Sequence, residues 1–357
     1  VNHFEIFCEN CKMIHTQKNF MLVPVFLGEG RLELQERPIP QIKNPDDVLL
    51  RVEACGLCGT DLNILAVPPA HKAAPGTVLG HEFVGTVEEV GTLNSTSLHP
   101  GDRVVVAPRL VCGQCRYCRR GFPNQCEDYK TLGITLDGGL APYVVAPERA
   151  LYKISRDVAL DDAVFAEVLA CVASGMTRIP IHAGETVVIL GAGPVGLLYA
   201  MVYRASGAGK IIVTDVAPFR LDMAKQNGAD VVIDSRAQDV EALVKEHTDI
   251  GADLVVDAVG ALLPQALKLV RRGGRIVLFG MQQHALPPVS QYLITRYELS
   301  VFGAFGAANQ FPGVVQMLES GVVKPSPLIT HRIPASDAAK AFDAMRAGET
   351  MKVIVTH

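Results

Sequence analysis

A glycine-rich turn constrains this chain more than any other feature. Gly191, Gly193 and Gly196, with Pro194 and Val195 among them, directly follow the apolar run Thr186–Leu190 and open a helical stretch reaching about Ser206. The first glycine permits a tight turn, the second lets backbone approach a pyrophosphate, and the third lets helix pack closely on strand. The start of the helix adds free N–H groups and the positive end of its dipole, which suit phosphate. Downstream, apolar runs at 210–214, 231–233, 253–256 and 275–279 alternate with segments of helical period such as 220–226. That alternation predicts a doubly wound parallel sheet.

Asp215 closes the next apolar run, nineteen residues beyond Gly196. A carboxylate there can bind both hydroxyls of an adenosine ribose and would repel a 2′-phosphate, so NAD is expected over NADP. Arg220 lies near enough to soften that discrimination. The plainer alternative is a set of packing glycines with Asp215 as a cap.

The chain before this region has a different grammar. Short β-like runs at 48–52, 85–90, 102–106 and 143–145 are punctuated by Gly and Pro, which predicts a twisted, barrel-like β domain. Residues 1–20 precede the fluent run 21–26 and read as a loosely ordered extension. Cys8, Cys11 and His15 within it are taken as incidental. The last fifty residues, with a helix at Phe311–Glu319 and a strand at 352–355, are expected to rejoin the first domain. The expected division is 21–170 with 307–357 for one domain and 171–306 for the dinucleotide domain.

Four cysteines fall within fifteen residues: Cys112, Cys115, Cys118 and Cys126. Such clustering lets four thiolates reach ~2.3 Å from one Zn²⁺ and leaves no open position, so a structural zinc lobe is expected at 108–130. Arg116, Arg119 and Arg120 between them disfavour a merely apolar core strand. Disulfides suit secreted chains, and a nucleic-acid zinc module would want a basic domain. This chain has 357 residues and a net charge of −4, which predicts two domains and no attraction to nucleic acid or anionic membrane. No apolar run reaches the ~18 residues of a membrane span, and no signal peptide is legible. Cytoplasm is the expected compartment.

A second set of metal-ligand residue types is scattered: Cys58, followed by Thr60; His81 with Glu82; and Glu167 near the domain seam. Three protein ligands and an open position make a catalytic zinc site. Spacing alone leaves open that His81 and Glu82 are a surface pair and that Cys55 and Cys58 are simply buried.

Together with residues 58–61, 80–82, 101–104 and 166–169, the four-cysteine lobe and the glycine turn occur here in one order. In that order the chain resembles the zinc-dependent medium-chain alcohol and polyol dehydrogenases, from about Met21 to its end. The resemblance implies a GroES-like barrel carrying the catalytic zinc, a Rossmann domain, and a cleft between them for alcohol and nicotinamide. In the sorbitol and threonine dehydrogenase branch it assigns zinc to Cys58 and His81. Glu82 and Glu167 become exchangeable ligands or partners of a water on the metal. The ethanol dehydrogenase branch uses a cysteine where this chain has Ala170, and Cys171 is one place off, so the Glu167-bearing branch is expected.

Two zinc ions per chain are implied, with NAD as cofactor. Zinc as a Lewis acid would acidify the alcohol so that a hydride can pass to nicotinamide, with Thr60 the first acceptor of the hydroxyl proton. Many relatives carry a histidine where this chain has Asn63, so the outer proton relay differs. The segment 304–309 lacks the Arg-Tyr grip of sorbitol-type enzymes. Arg296 and Glu298 match residues common in the family or form a surface pair, and Val168 replaces a frequent proline.

The expected activity is oxidation of a secondary alcohol: a polyol, a sugar derivative or an amino alcohol. An NADP-preferring reductase of the same family, a zinc-free double-bond reductase and a non-catalytic dinucleotide-binding regulator are the alternatives. Dimers or tetramers joined through the Rossmann sheet are implied by analogy.

Overall fold

The computed structural model describes residues 20–93, 95 and 98–357. Of the expected extension only Phe20 is therefore described, and Cys8, Cys11 and His15 lie outside the described residues. Phe20 begins the strand Phe20–Gly28, which pairs with Arg31–Pro38 on one side and Thr77–Val78 on the other. Asp47–Gly56 is the centre of a larger sheet, flanked by Glu82–Val90, Tyr143–Pro147 and the C-terminal strand Lys352–Thr356. Arg103–Val106, Leu151–Lys153 and Ile329–Pro334 complete its seven strands. The C-terminal strand thus pairs directly with Asp47–Gly56, nearly three hundred residues earlier in the chain.

The second sheet is wholly parallel, in the order Val231–Asp234, Lys210–Asp215, Thr186–Leu190, Ala252–Asp257, Val270–Leu278, Ser300–Gly303. Helices cover both faces, so Val187, Val188, Ile189 and Leu190 are all fully buried, which is why that run is apolar without alternation. The winding direction reverses between Thr186–Leu190 and Ala252–Asp257. Ligands of such sheets bind at the carboxyl ends of strands beside this reversal. Ser300–Gly303 is a sixth strand beyond the five expected; it is four residues long and opens on a serine, too short a run to stand out.

Helix Ala166–Arg178 passes through the expected boundary near 171. Its Leu169, Ala170 and Val172 are buried in one core that also holds Ala54, Val84 and Val105 from the barrel and Val187 and Ile189 from the parallel sheet. The two lobes of the cleft are therefore braced by a single element. No described helix is long and apolar enough to cross a membrane.

Candidate active site

Adjacent strands bring the scattered metal-ligand residues together. Asp47–Gly56 delivers the chain to Cys58, whose extended backbone caps the short helix Gly59–Ile64. The Cys58 amide donates to Asp61 Oδ2 at 2.9 Å, and the Asp61 amide returns a bond to the Cys58 carbonyl at 3.1 Å. This tight loop fixes the thiol. His81 and Glu82 enter the neighbouring strand, where Glu82 stands opposite Gly56. A Cβ on Gly56 would lie 2.6 Å from Glu82 Oε2 and 2.8 Å from Lys352 Cε, so only glycine leaves room for the carboxylate there. The Cys58 sulfur, a His81 ring nitrogen and a Glu82 oxygen lie within 4.8 Å of one another. A thiolate, an imidazole and a carboxylate are a donor set suited to zinc.

The surroundings of these groups are charged and dry. His81 Nδ1 lies 3.6 Å from Asp61 Oδ1, and neither atom has a hydrogen-bond partner. Burial works against a charge on His81, but Cys58 and Asp61 outweigh it and hold its pKa well above the usual value. Burial raises the Cys58 thiol. Glu82 pairs with the buried ammonium of Lys352, which also donates to the Leu57 carbonyl at 3.1 Å. Burial would lower the lysine, yet the Glu82 charge raises it. The sequence reading did not single out Lys352.

Glu167 and Cys171 stand one turn apart on helix Ala166–Arg178 and face the same cleft. The Cys171 thiol donates to Glu167 Oε1 at 3.4 Å, and burial raises the Glu167 carboxyl. The Glu167 carboxylate lies outside the close set of three. Thr60 lines the cleft. The Asn63 carbonyl receives the amides of Ala70 and His71, and the His71 ring lines the cleft. His71 and Arg109, another lining residue, were also missed, because both come from loops whose course no local pattern foretells.

At the glycine turn, Gly191 has φ +100, and a Cβ on Gly196 would lie 1.9 Å from the Gly191 carbonyl oxygen. No atom stands within 4 Å of where a Gly193 Cβ would be, so that side is open. Gly193 caps helix Pro194–Ala205 without any side-chain bond, leaving the first amides free for an anion. Val195 reaches the cleft. Asp215 Oδ2 accepts the Ala192 amide at 2.7 Å, and Oδ1 accepts those of Val216 and Ala217 at 2.8 and 2.9 Å. One carboxylate thus pins the turn to the end of the next strand and keeps acceptor capacity for a ribose. Arg220 stacks over Phe219, and its buried Nε has no partner.

The four clustered cysteines also converge, with ligand atoms within 4.8 Å of one another. Tetrahedral zinc at ~2.3 Å from each sulfur implies sulfurs about 3.8 Å apart. The Cys115–Cys126 and Cys112–Cys126 pairs stand 3.9 and 3.4 Å apart. Amides of Cys118 and Glu127 pull the Cys115 thiol down to about 6, as suits a thiolate ligand. The lobe is tied to the cleft: Arg109 Nη1 donates to the Asn124 carbonyl at 3.0 Å, and Asn124 Nδ2 donates to the Phe305 carbonyl at 2.8 Å.

Cys58, Thr60, His81, Glu82 and Glu167 border one cleft, with barrel residues on one wall and Val195, Phe279 and Phe305 on the other. Comparison with known proteins gives a consistent picture. The family described as the alcohol dehydrogenase GroES-like domain matches residues 44–156, and that described as zinc-binding dehydrogenase matches 194–320. A sorbitol dehydrogenase of Bacillus subtilis (strain 168) is 32% identical over 96% of this chain and 99% of its own. A candidate zinc-binding dehydrogenase from Sinorhizobium meliloti 1021, solved bound to NADP, superposes with a TM-score of 0.89 at 30% identity, covering 95% of this chain and 99% of its own. An alcohol dehydrogenase from E. coli CFT073 complexed with NADH gives 0.87 at 32% identity, covering 95% of this chain and 100% of its own.

Proposed function

Because the chain belongs to the zinc-dependent alcohol dehydrogenase family, an oxidoreductase of CH–OH groups that uses zinc and a nicotinamide dinucleotide, we propose how its own residues divide that work. Cys58, His81 and Glu82 hold the catalytic zinc, with Glu167 as the exchangeable fourth group. Cys112, Cys115, Cys118 and Cys126 hold a second, structural zinc. When bound, the catalytic zinc acidifies an alcohol hydroxyl and the nicotinamide accepts the hydride.

The remaining steps belong to side chains. Thr60 takes the hydroxyl proton at Oγ1 and passes it outward, where Asn63 cannot titrate and the His71 ring can. Asp61 orients the His81 ring from behind. Lys352 balances Glu82 so that two carboxylates and a thiol can share a dry site. Gly191, Gly193 and Gly196 with the amides following Pro194 cradle the pyrophosphate, and Val195 borders the nicotinamide. Asp215 binds the ribose hydroxyls and favours NAD, while Arg220 offers its unpaired Nε to the adenosine end. The substrate is a secondary alcohol of the polyol, sugar or amino-alcohol kind, and the enzyme is a dimer or tetramer.

The convergence of Cys58, His81 and Glu82 at the floor of the interdomain cleft supports this reading most directly. Metal counting tests it. Purified protein should carry about two zinc ions per chain, and Cys58→Ala or His81→Ala should carry one, with turnover lost and the melting profile kept. Full zinc content or retained turnover in either variant would remove the assignment.

A further inference from the structure

Among the described residues, Arg109 is a cation at the cleft with no acid to answer it. Several arginines of the protein pair with carboxylates, Arg103 with Glu53, Arg204 with Asp230, Arg271 with Asp253 and Arg275 with Glu185, while others such as Arg220 do not. Arg109 is the unpaired one that lines the cleft beside the candidate metal ligands. Among the described residues Arg109 has one hydrogen bond, from Nη1 to the Asn124 carbonyl at 3.0 Å. Its guanidinium is held over the rings of Tyr129 at 4.5 Å and Phe305 at 4.8 Å. Asn124 in turn bonds the Phe305 carbonyl, so the support comes from both walls of the cleft. A long side chain is thereby fixed in place while Nε and Nη2 stay available.

The neighbourhood offers those N–H groups no charged partner. Ala304, Gly306, Ala307 and Ala308 line the cleft beside Arg109 and bring no charge or hydroxyl. A Cβ on Gly306 would stand 3.8 Å from the guanidinium carbon, in van der Waals contact with it, so a side chain placed there would meet Arg109. A guanidinium against an apolar wall gains most from a planar or tetrahedral oxyanion that accepts two parallel N–H bonds. The acidic groups of the cleft, Glu82 and Glu167, belong to the metal-binding cluster, and neither forms an ion pair with Arg109 among the described residues.

We infer that Arg109 reads an oxyanion, carboxylate or phosphate, carried by the alcohol substrate, so that the enzyme acts on hydroxy acids or phosphorylated polyols in preference to neutral polyols. This deepens the functional proposal above and rests on it. A charge fixed at one end orients the molecule with its CH–OH at Cys58 and His81 and its anion at Arg109.

The test measures kcat and KM of the zinc- and NAD-loaded enzyme on neutral polyols of three to six carbons, on the matching terminal carboxylates and on the matching terminal phosphates. The expected result is at least a tenfold higher kcat/KM for one of the two anionic series, which also tells carboxylate from phosphate. Arg109→Gln should cut the anionic-to-neutral ratio tenfold or more, mainly through KM, and Arg109→Lys should restore part of it. Gly306→Asp, which puts a carboxylate beside an intact Arg109 at φ +59, a backbone that Asp tolerates, should act like Arg109→Gln. A binding arm needs no turnover: inorganic phosphate should raise the melting temperature of the wild-type enzyme saturated with zinc and NADH, and not that of Arg109→Gln. A wild type that prefers neutral polyols, a ratio untouched by Arg109→Gln, or a KM change confined to the dinucleotide would overturn the inference while leaving the dehydrogenase assignment standing. Absence of both turnover on every series and a phosphate response would overturn both.

Discussion

Glu82 and Lys352 form a buried pair between residues 270 positions apart, with side chains 1% and 3% exposed. Breaking such a pair leaves an uncompensated charge, which costs about 3–5 kcal/mol. Lys352→Met should therefore lower stability by about that amount in denaturant titrations, and adding Glu82→Gln should recover much of it. Equal losses in the single and double variants would show that Lys352 acts through packing alone. Asp215 holds the turn through the Ala192 amide, so Asp215→Ser should raise KM for NAD about tenfold relative to NADP, as loss of ribose discrimination requires. An unchanged NAD-to-NADP ratio in steady-state kinetics would show that this carboxylate serves the turn and not the ribose. Asp215 was legible because it sits a fixed distance from a glycine turn. Lys352 was not: it heads an apolar strand, and nothing local says that an acid from another strand waits opposite. Arg109 escaped for the same reason, since its meaning comes from Phe305 across the cleft.

At the scale of elements, legibility followed the range of the contacts involved. The five apolar strands of the parallel sheet could be read because each is a local run, with Thr186–Leu190, Lys210–Asp215 and Ala252–Asp257 buried on both faces. The barrel strands could be found singly, but their pairings could not. Asp47–Gly56 meets Glu82–Val90, Tyr143–Pro147 and Lys352–Thr356, partners scattered across the whole chain. That pairing decides which of the candidate ligand residues meet. The helix Pro194–Ala205 gives the clearest test of element packing, because a Cβ on Gly196 would approach the Gly191 carbonyl oxygen to 1.9 Å. Real atoms cannot stand so close, so Gly196→Ala must push the helix off its strand or open the turn. Dinucleotide affinity should fall at least tenfold and the melting temperature should drop, both readable by NADH fluorescence titration and calorimetry. Unaltered affinity would mean that the turn does not form the pyrophosphate cradle.

At the scale of the whole molecule, the six-stranded sheet has two edge strands, Val231–Asp234 and Ser300–Gly303. Ser300–Gly303 ends the six-stranded sheet and pairs on one side only, with Val270–Leu278. An exposed edge strand offers a row of unpaired N–H and C=O groups, which proteins cover or pair. Apolar side chains lie exposed in the stretch of chain that leads to it: Leu286 is 92% exposed, Tyr292 69% and Met281 64%. Large apolar side chains exposed together in one stretch of chain mark an interface more often than a solvent face. Two copies related by a two-fold axis could pair their edge strands antiparallel and bury these side chains together, turning six strands in each chain into a sheet of twelve. The cleft with Cys58 and Arg109 counts Met281 among its lining residues, so such an assembly would border it. Light scattering should then give a mass that is a whole multiple, two or four, of the 38.3 kDa chain. Leu286→Glu combined with Tyr292→Glu should shift the mass toward a single chain and lower the concentration-dependent part of thermal stability. A monomer at tens of micromolar in the unmodified protein, or a double variant with unchanged mass, would mean that this edge is covered in some other way.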